Sequence, residues 1–189
     1  FLRQVYEIYM HYFNKDGAVE CILQEDHMNE QEREEFLGRF TGNEDCDLNE
    51  LIQMDIEVED DRSLLGFCVM GGIFSEGIDL KNDSLIGAVI VGTGLPLVCN
   101  EREILKRYFD GWGENGFDYA YRYPGMNKVL QAAGRVIRTV DDFGIVALLD
   151  ERFLTPAYQR LFPREWNHPE TVSVDRIGRR VERFWDEWL

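Results

Sequence analysis

The sequence predicts an α/β fold built on a mostly parallel sheet. Three observations carry that prediction. Apolar runs of strand length recur along the 189 residues, and amphipathic segments at helical spacing alternate with them. The central runs, 64–70, 86–91 and 144–149, are apolar at nearly every position rather than at every second one. Continuous apolar strands are those of a parallel sheet covered on both faces.

The elements follow in order. Residues 2–13 place Leu2, Val5, Ile8, Tyr9 and Tyr12 near helical spacing, and Asn14, Asp16 and Gly17 end that helix. Residues 18–23 form a short strand. Asn29 opens EQEREEFLGRF with Glu32 three positions on, the pattern of a capping box. Residues 41–61 are acidic, and LNELIQMDIEV within them fits a short helix and a short strand equally. The run 64–70 (LLGFCVM) is a strand followed by glycine-rich GGIFSEGIDL, and 86–91 (IGAVIV) is a second strand ending in GTGLP. A helix is expected over 101–111, a loop over GWGENGFDYAYRYPG, and a helix over 126–139. The strand 144–149 (GIVALL) is closed by Asp150, and helices over 157–162 and 181–189 complete the chain. There is no internal repeat.

Composition excludes several classes. A hydrophobic content of 44%, with 12 Phe, 8 Tyr and 4 Trp, excludes intrinsic disorder for most of the chain. The longest apolar run, 85–98, is broken by Gly87, Gly92, Gly94 and Pro96, well short of the ~20 residues a membrane span needs. The N-terminus is charged every few residues and is not a signal peptide. It lacks an initiating Met, so the chain is expected to be cut from a longer polypeptide. A net charge of −16 argues against nonspecific nucleic-acid binding by the bulk surface. Nine acids (Glu44, Asp45, Asp47, Glu50, Asp55, Glu57, Glu59, Asp60, Asp61) lie in 44–61 with no base among them. Taking those nine from −16 leaves −7, which permits a basic groove elsewhere. Cys21, Cys46, Cys68 and Cys99 are at least 22 residues apart, so no CxxC knuckle exists. Cys21 and Cys68 read as small buried hydrophobes. With His11, His27 and His168 scattered, no metal site is expected, and a reduced, cytoplasmic protein is the default.

Two segments carry chemistry. In MNKVLQAAGRVIRT (126–139), ~100° per residue gathers Met126, Val129, Leu130, Ala133, Val136 and Ile137 on one face. Gln131, Arg135 and Arg138 fall opposite them, within about 60° of one another. Two guanidiniums without a carboxylate between them make sense if a polyanion comes to them. The solvated face of an ordinary amphipathic helix gives the same pattern. GGIFSEGIDL (71–80) follows a strand, and ligands of open parallel sheets bind beyond strand C-termini. Its glycines let a ligand approach the backbone, and Glu76 and Asp79 offer acceptors for a ribose or a water. It is neither GxGxxG nor a phosphate loop, and a capped strand-to-helix turn reads the same way.

Taken in order, these motifs resemble the last motifs of superfamily 2 helicases, in the wording of the DinG/XPD family of DNA helicases. SEGIDL (75–80) is similar to motif V, GLPL (94–97) to the segment after it, and QAAGRVIR (131–138) to motif VI. DDFGIVALLDERF (141–153) resembles the strand and D-x-R-[FY] that follow. The similarity covers roughly 64–165, with weaker agreement in the first helix and in ILQEDHMNEQEREEFL. No G-x-x-x-x-G-K-[ST] phosphate loop, DEAH box or four-Cys iron–sulfur signature is present. Those belong to the first motor domain of the family.

The resemblance implies a RecA-like three-layer sandwich, the helicase C-terminal domain of P-loop NTPases. It places the domain at residues 1–165, with an acidic insertion at about 41–62 and a C-terminal extension with a docking helix at 166–189. The first residue falls after the expected strand of motif IV. ATP and Mg2+ would be held mainly by the first RecA-like domain. This domain would supply Arg135 and Arg138 as arginine fingers, with Gln131, Gly77, Asp79 and Glu76 near the nucleotide. Ser75, Arg122 and Tyr123 are the candidates for single-stranded DNA, and Trp112, Tyr119 and Tyr121 in the same segment offer stacking faces. The family implies 5′-to-3′ movement by a monomer. Phe184, Trp166, Trp185 and Trp188 read as anchors of the terminal helix. Two other classes remain on the residues alone: a noncatalytic acidic interaction module using 44–61, and a non-motor nucleotide-binding α/β enzyme, which would need a phosphate site of its own.

Overall fold

The computed structural model describes residues 1–41, 62–72, 85–137 and 142–188. The chain divides into two compact units. One comprises Phe1–Ile86 with Lys128–Asp142, the other Gly87–Asn127 with Phe143–Leu189. The acidic segment 42–61 and the SEGIDL motif lie outside the described residues.

In the first unit, α1 (Leu2–Tyr12) leads to β1 (Glu20–Leu23), α2 (Glu30–Thr41) and β2 (Leu64–Phe67). The turn between α1 and β1 is held by buried Asn14. Its amide donates to the Val19 carbonyl at 2.7 Å and its oxygen accepts from the Val19 N–H at 3.0 Å. Gly17 takes φ 69 there, a left-handed conformation that glycine reaches without strain. The capping box at α2 is reciprocal: Glu32 N–H donates to Asn29 Oδ1 at 2.9 Å, and Asn29 N–H to Glu32 Oε2 at 2.8 Å. β1 and β2 pair in parallel, with Glu20 opposite Leu64 and Leu23 opposite Phe67. Strand alternation then sorts the faces. Phe67 meets Tyr6 and Tyr9 of α1, with ring centroids 5.3 and 5.7 Å away. Gly66 points the other way, where a Cβ would sit 2.5 Å from Phe40 of α2. The glycine in this strand makes room for that ring.

In the second unit, β3 (Gly87–Val91) pairs in parallel with β4 (Ile145–Leu149) in register Gly87↔Ile145 to Val91↔Leu149. The four described strands thus form two two-stranded parallel sheets. Along β3 the exposures alternate. Ile90 is buried at 5% exposure, whereas Val89 is 68% exposed and Val91 is also open. A wholly apolar run does not distinguish one covered face from two.

The reading of a loop over GWGENGFDYAYRYPG is corrected. After α3 (Asn100–Gly111) and a turn, the chain is helical from Gly116 through a π-helical turn, Asp118–Arg122, into α4 (Tyr123–Ala133). The two helical arms clasp each other. Phe109 stacks on Tyr119 at 3.9 Å, Arg102 donates to the Ala120 carbonyl at 2.8 Å, and Tyr121 Oη donates to Glu103 at 2.6 Å. The Asp110 carboxylate accepts from the Gly116 N–H at 2.8 Å and closes the turn. Gly116, Pro124 and Gly125 hid this helix in the sequence. Pro124 follows directly on the π-helical turn, where Tyr123 N–H bonds to the Asp118 carbonyl and the regular ladder is already interrupted, which is where a helix tolerates a residue without a donor.

Beyond β4, Asp150 caps a 3-10 turn (Glu151–Leu154) that leads to α5 (Pro156–Gln159), shorter than expected. Phe153 and Tyr158 are buried there. A second 3-10 turn, Arg164–Trp166, follows, and Trp166 meets Phe162 edge-on at 5.4 Å. α6 (Ile177–Trp188) starts four residues before the expected position. Trp185 and Trp188 contact Phe143 at 6.1 and 6.0 Å between centroids.

Cys68, at the end of β2, is a thiol pushed up to about 12 by burial. Its unfolded value lies near 8.5. A raised folded value contributes stability that is complete below the unfolded pKa and is lost as pH rises toward the folded one. Raising the pH from about 8.5 to 10 should therefore lower the urea midpoint, and Cys68→Ala should flatten that decline. In the folded protein exposed Cys99 should alkylate well before Cys68, as followed by peptide mass spectrometry.

Candidate functional site

The site is built on α4 and on the turn that follows β2. Gly125 lets the first turn of α4 lie against the backbone that leaves β3. A Cβ at Gly125 would sit 2.6 Å from the Thr93 carbonyl oxygen and 3.1 Å from Leu95 N. The helix then buries one row, Met126, Val129 and Ala133, and leaves Gln131 exposed. This division is the one the helical period predicts.

The end of the helix differs from the expected one. α4 stops at Ala133 rather than continuing to 139. Gly134 N–H still bonds back to the Leu130 carbonyl at 2.8 Å, four residues away. The next two bonds, Arg135 N–H to Ala132 O at 3.2 Å and Val136 N–H to Ala133 O at 3.1 Å, span only three residues. Such tightening is how helix ends satisfy their last carbonyls, and Gly134 is a weak helix former at the point where it starts. Val136 remains buried, but Ile137 is 49% exposed instead of joining the apolar row. Arg135 is half-buried in this closing turn. A cation is favoured beside the negative end of the helix dipole. Arg138 lies outside the described residues.

The turn after β2 prepares the start of motif V. Gly72 N–H bonds to the Val69 carbonyl at 2.9 Å, and Gly71 takes φ 88, the left-handed position of a type II turn. Gln24, just after β1, accepts from Val69 N–H at 3.0 Å and ties the turn to the sheet. The end of the Lys128 side chain lies over Gly71, so that a Cβ there would be 3.2 Å from Cε and 3.3 Å from Nζ. Lys128 was missed in the sequence. It stands three residues before Gln131 and seven before Arg135, the same spacing that grouped those two. Ser75, Glu76, Gly77 and Asp79 come directly after this turn and lie outside the described residues.

Of the candidate DNA contacts, Arg122 and Tyr123 fall in the second unit. Arg122 is taken up inside it. Its guanidinium pairs with Asp118, which is only 4% exposed, and lies 5.5 and 5.3 Å from the Phe117 and Tyr158 ring centres. Arg160 adds a longer contact to Asp118, at 3.7 Å. Tyr121 is buried, and its hydrogen bond to Glu103 together with burial pushes the phenol up to about 12. Tyr119 packs between Phe109 and Tyr123. Trp112 alone of these aromatics is largely exposed, at 74%. In DERF, Arg152 grips Asp150 through two bonds of 2.8 and 2.6 Å, and Asp150 also accepts from the Arg152 N–H. The guanidinium holds the Asp150 carboxyl below the usual carboxylate range.

The Helicase C-terminal domain family matches residues 1–169, the greater part of the chain. The chain belongs to that family. Its motifs are those of the DinG/XPD helicases of superfamily 2. It is 32% identical over 137 residues to a regulator of telomere elongation helicase 1 homolog of Caenorhabditis elegans, an alignment spanning 66% of this chain and 13% of that protein. It is 31% identical over 134 residues to a probable ATP-dependent helicase of Methanocaldococcus jannaschii, spanning 65% and 21%. The ATP-dependent DNA helicase DinG of Photobacterium profundum is 37% identical over 89 residues, spanning 46% and 13%. The chain thus spans about an eighth to a fifth of the length of these curated relatives. A solved XPD helicase covers 84% of this chain and 29% of its own, with TM-score 0.46 and 21% identity. Among the described residues, no helix of this helicase domain is long and apolar enough to cross a membrane.

Removing one member of a buried ion pair strands the other. Asp118→Ala should lower unfolding stability by about 3 kcal/mol in urea denaturation. An apolar replacement of both partners, Asp118→Leu with Arg122→Met, should recover most of that loss.

Proposed function

We propose that this domain is the second motor domain of an ATP-dependent DNA helicase, and that it completes a nucleotide site held mainly by a first RecA-like domain. The observation that carries the reading is the orientation of α4. Its apolar row is buried, which turns Gln131 outward and brings Arg135 to the helix end, in the unit that also holds the turn before SEGIDL. The donors offered are guanidinium and amide groups, which fit a polyphosphate. No cluster of His, Cys, Asp or Glu that could hold a metal occurs among the described residues. In this reading Mg2+ would be held mainly by the first RecA-like domain, where it would neutralise phosphate charge.

In this reading Arg135 and Arg138 stabilise the charge that develops on the transferring γ-phosphoryl oxygens. Gln131 orients the attacking water or a phosphate oxygen. Asp79 accepts from the nucleotide or a bound water, Glu76 supports it, and Gly77 lets the backbone come close. Ser75 touches a strand phosphate and Tyr123 borders the strand, while Arg122 holds the segment in place through Asp118. Closure on ATP and opening after hydrolysis then move the protein along single-stranded DNA. Residues 1–165 are assigned to the motor domain, with 41–62 as an insertion and 166–189 as an extension.

Turnover decides the reading. In a protein that also contains the phosphate-loop domain, Arg138→Ala should keep nucleotide binding and lose roughly a thousandfold in DNA-stimulated hydrolysis. Unchanged hydrolysis would remove Arg138 from the role. The 189-residue chain alone should show no magnesium-dependent turnover, because its sequence has no phosphate loop.

A further inference from the structure

The strongest unassigned feature is on α6. Arg176, in the turn just before the helix, and Arg179, Arg180 and Arg183 on it follow one another at steps of three, one and three residues, which puts them along one side. The aromatic side, Phe184, Trp185 and Trp188, is the one that engages Phe143 or its own neighbours. The four arginines line an open groove of about 840 Å³ together with Glu170, Thr171, Val172 and Ser173. Only part of this charge is neutralised. Arg180 binds Glu170 at 2.6 Å, and Arg176 makes a 3.9 Å contact to the exposed Asp175. The Arg179 and Arg183 side chains have no hydrogen bond or ion pair among the described residues, and both residues are exposed. The family match ends at residue 169, so it assigns nothing to this helix.

Four guanidiniums on one face repel one another, all the more in the first half of a helix, where the dipole disfavours cations. In a chain of net charge −16 such a concentration is out of keeping with the rest of the surface. We propose that this groove binds the phosphodiester backbone of single-stranded nucleic acid, as a contact separate from the motor motifs. Charge complementarity selects a polyanion. Guanidiniums take carboxylates and phosphates alike, as Arg180 shows with Glu170, and what favours a phosphate backbone is the row of charges along one line together with the Thr171 and Ser173 hydroxyls, neutral donors common at strand backbones. From Arg176 to Arg183 the helix rises about 10 Å, enough to follow two or three successive phosphates. The assignment of DNA as the polymer rests on the motor reading above, whereas the phosphate chemistry stands on the groove itself.

The test is fluorescence anisotropy of the protein with a labelled oligo(dT), titrated across a range of NaCl concentrations. Arg179→Gln with Arg183→Gln should weaken binding roughly tenfold near 0.1 M salt and make the log–log salt dependence shallower by about 1.4. Arg179→Lys with Arg183→Lys should restore the salt slope, which separates lost charge from a disturbed helix. An unchanged affinity and slope in the glutamine variant, with wild-type protein binding the oligonucleotide, would overturn the proposal. So would displacement of the oligonucleotide by inorganic phosphate beyond the effect of chloride at equal ionic strength, which would mark free phosphate as the ligand. Loss of polyglutamate binding with oligo(dT) binding intact would overturn it in favour of an acidic polypeptide. The motor reading is judged separately, by hydrolysis in the Arg138→Ala protein.

Discussion

The approach of α4 to the backbone leaving β3 is the constraint on which the rest of the site depends. Gly125 is the residue that allows it, because a single added carbon would overlap the Thr93 carbonyl. Once the first turn is seated there, the 3.6-residue period leaves little freedom. Met126, Val129 and Ala133 go inward, and Gln131 is carried to the outside. A polar side chain on the open side of a packed helix needs little reordering to meet a charged ligand.

The arginines of this chain separate into two kinds by what surrounds them. Arg122 and Arg152 are consumed locally, the first by Asp118 and two aromatic rings, the second by Asp150 in its own turn. Both stabilise irregular backbone, a π-helical turn in one case and a 3-10 turn in the other. The groove arginines of α6 sit on regular helix and keep most of their charge exposed. A guanidinium that already has a carboxylate partner inside the protein contributes little to an incoming anion, so sequence position alone is a poor guide to which arginines bind ligands.

The sequence was legible where local chemistry decides the structure. The Asn29–Glu32 cap, the end of α1 at Asn14 and the parallel strands at 64–67, 87–91 and 145–149 could all be read from residue type and period. The family was legible from motif wording, since SEGIDL, QAAGRVIR and DERF occur in order. Tertiary context decided the rest. The helix through Gly116–Arg122 was hidden by glycines whose role is close packing; a Cβ at Gly116 would overlap the Lys106 carbonyl. The early stop of α4 was hidden by Val136 and Ile137, whose spacing continues the apolar row although the backbone has already tightened.

α2 and β2 are secured over very different stretches of chain. The cap at the start of α2 joins Asn29 to Glu32, three positions on, whereas β1 and β2 pair Glu20 with Leu64, 44 positions apart. Closure entropy therefore falls on the strand pairing and hardly at all on the helix start. The order of assembly follows from that difference, because a local turn can form before distant strands meet.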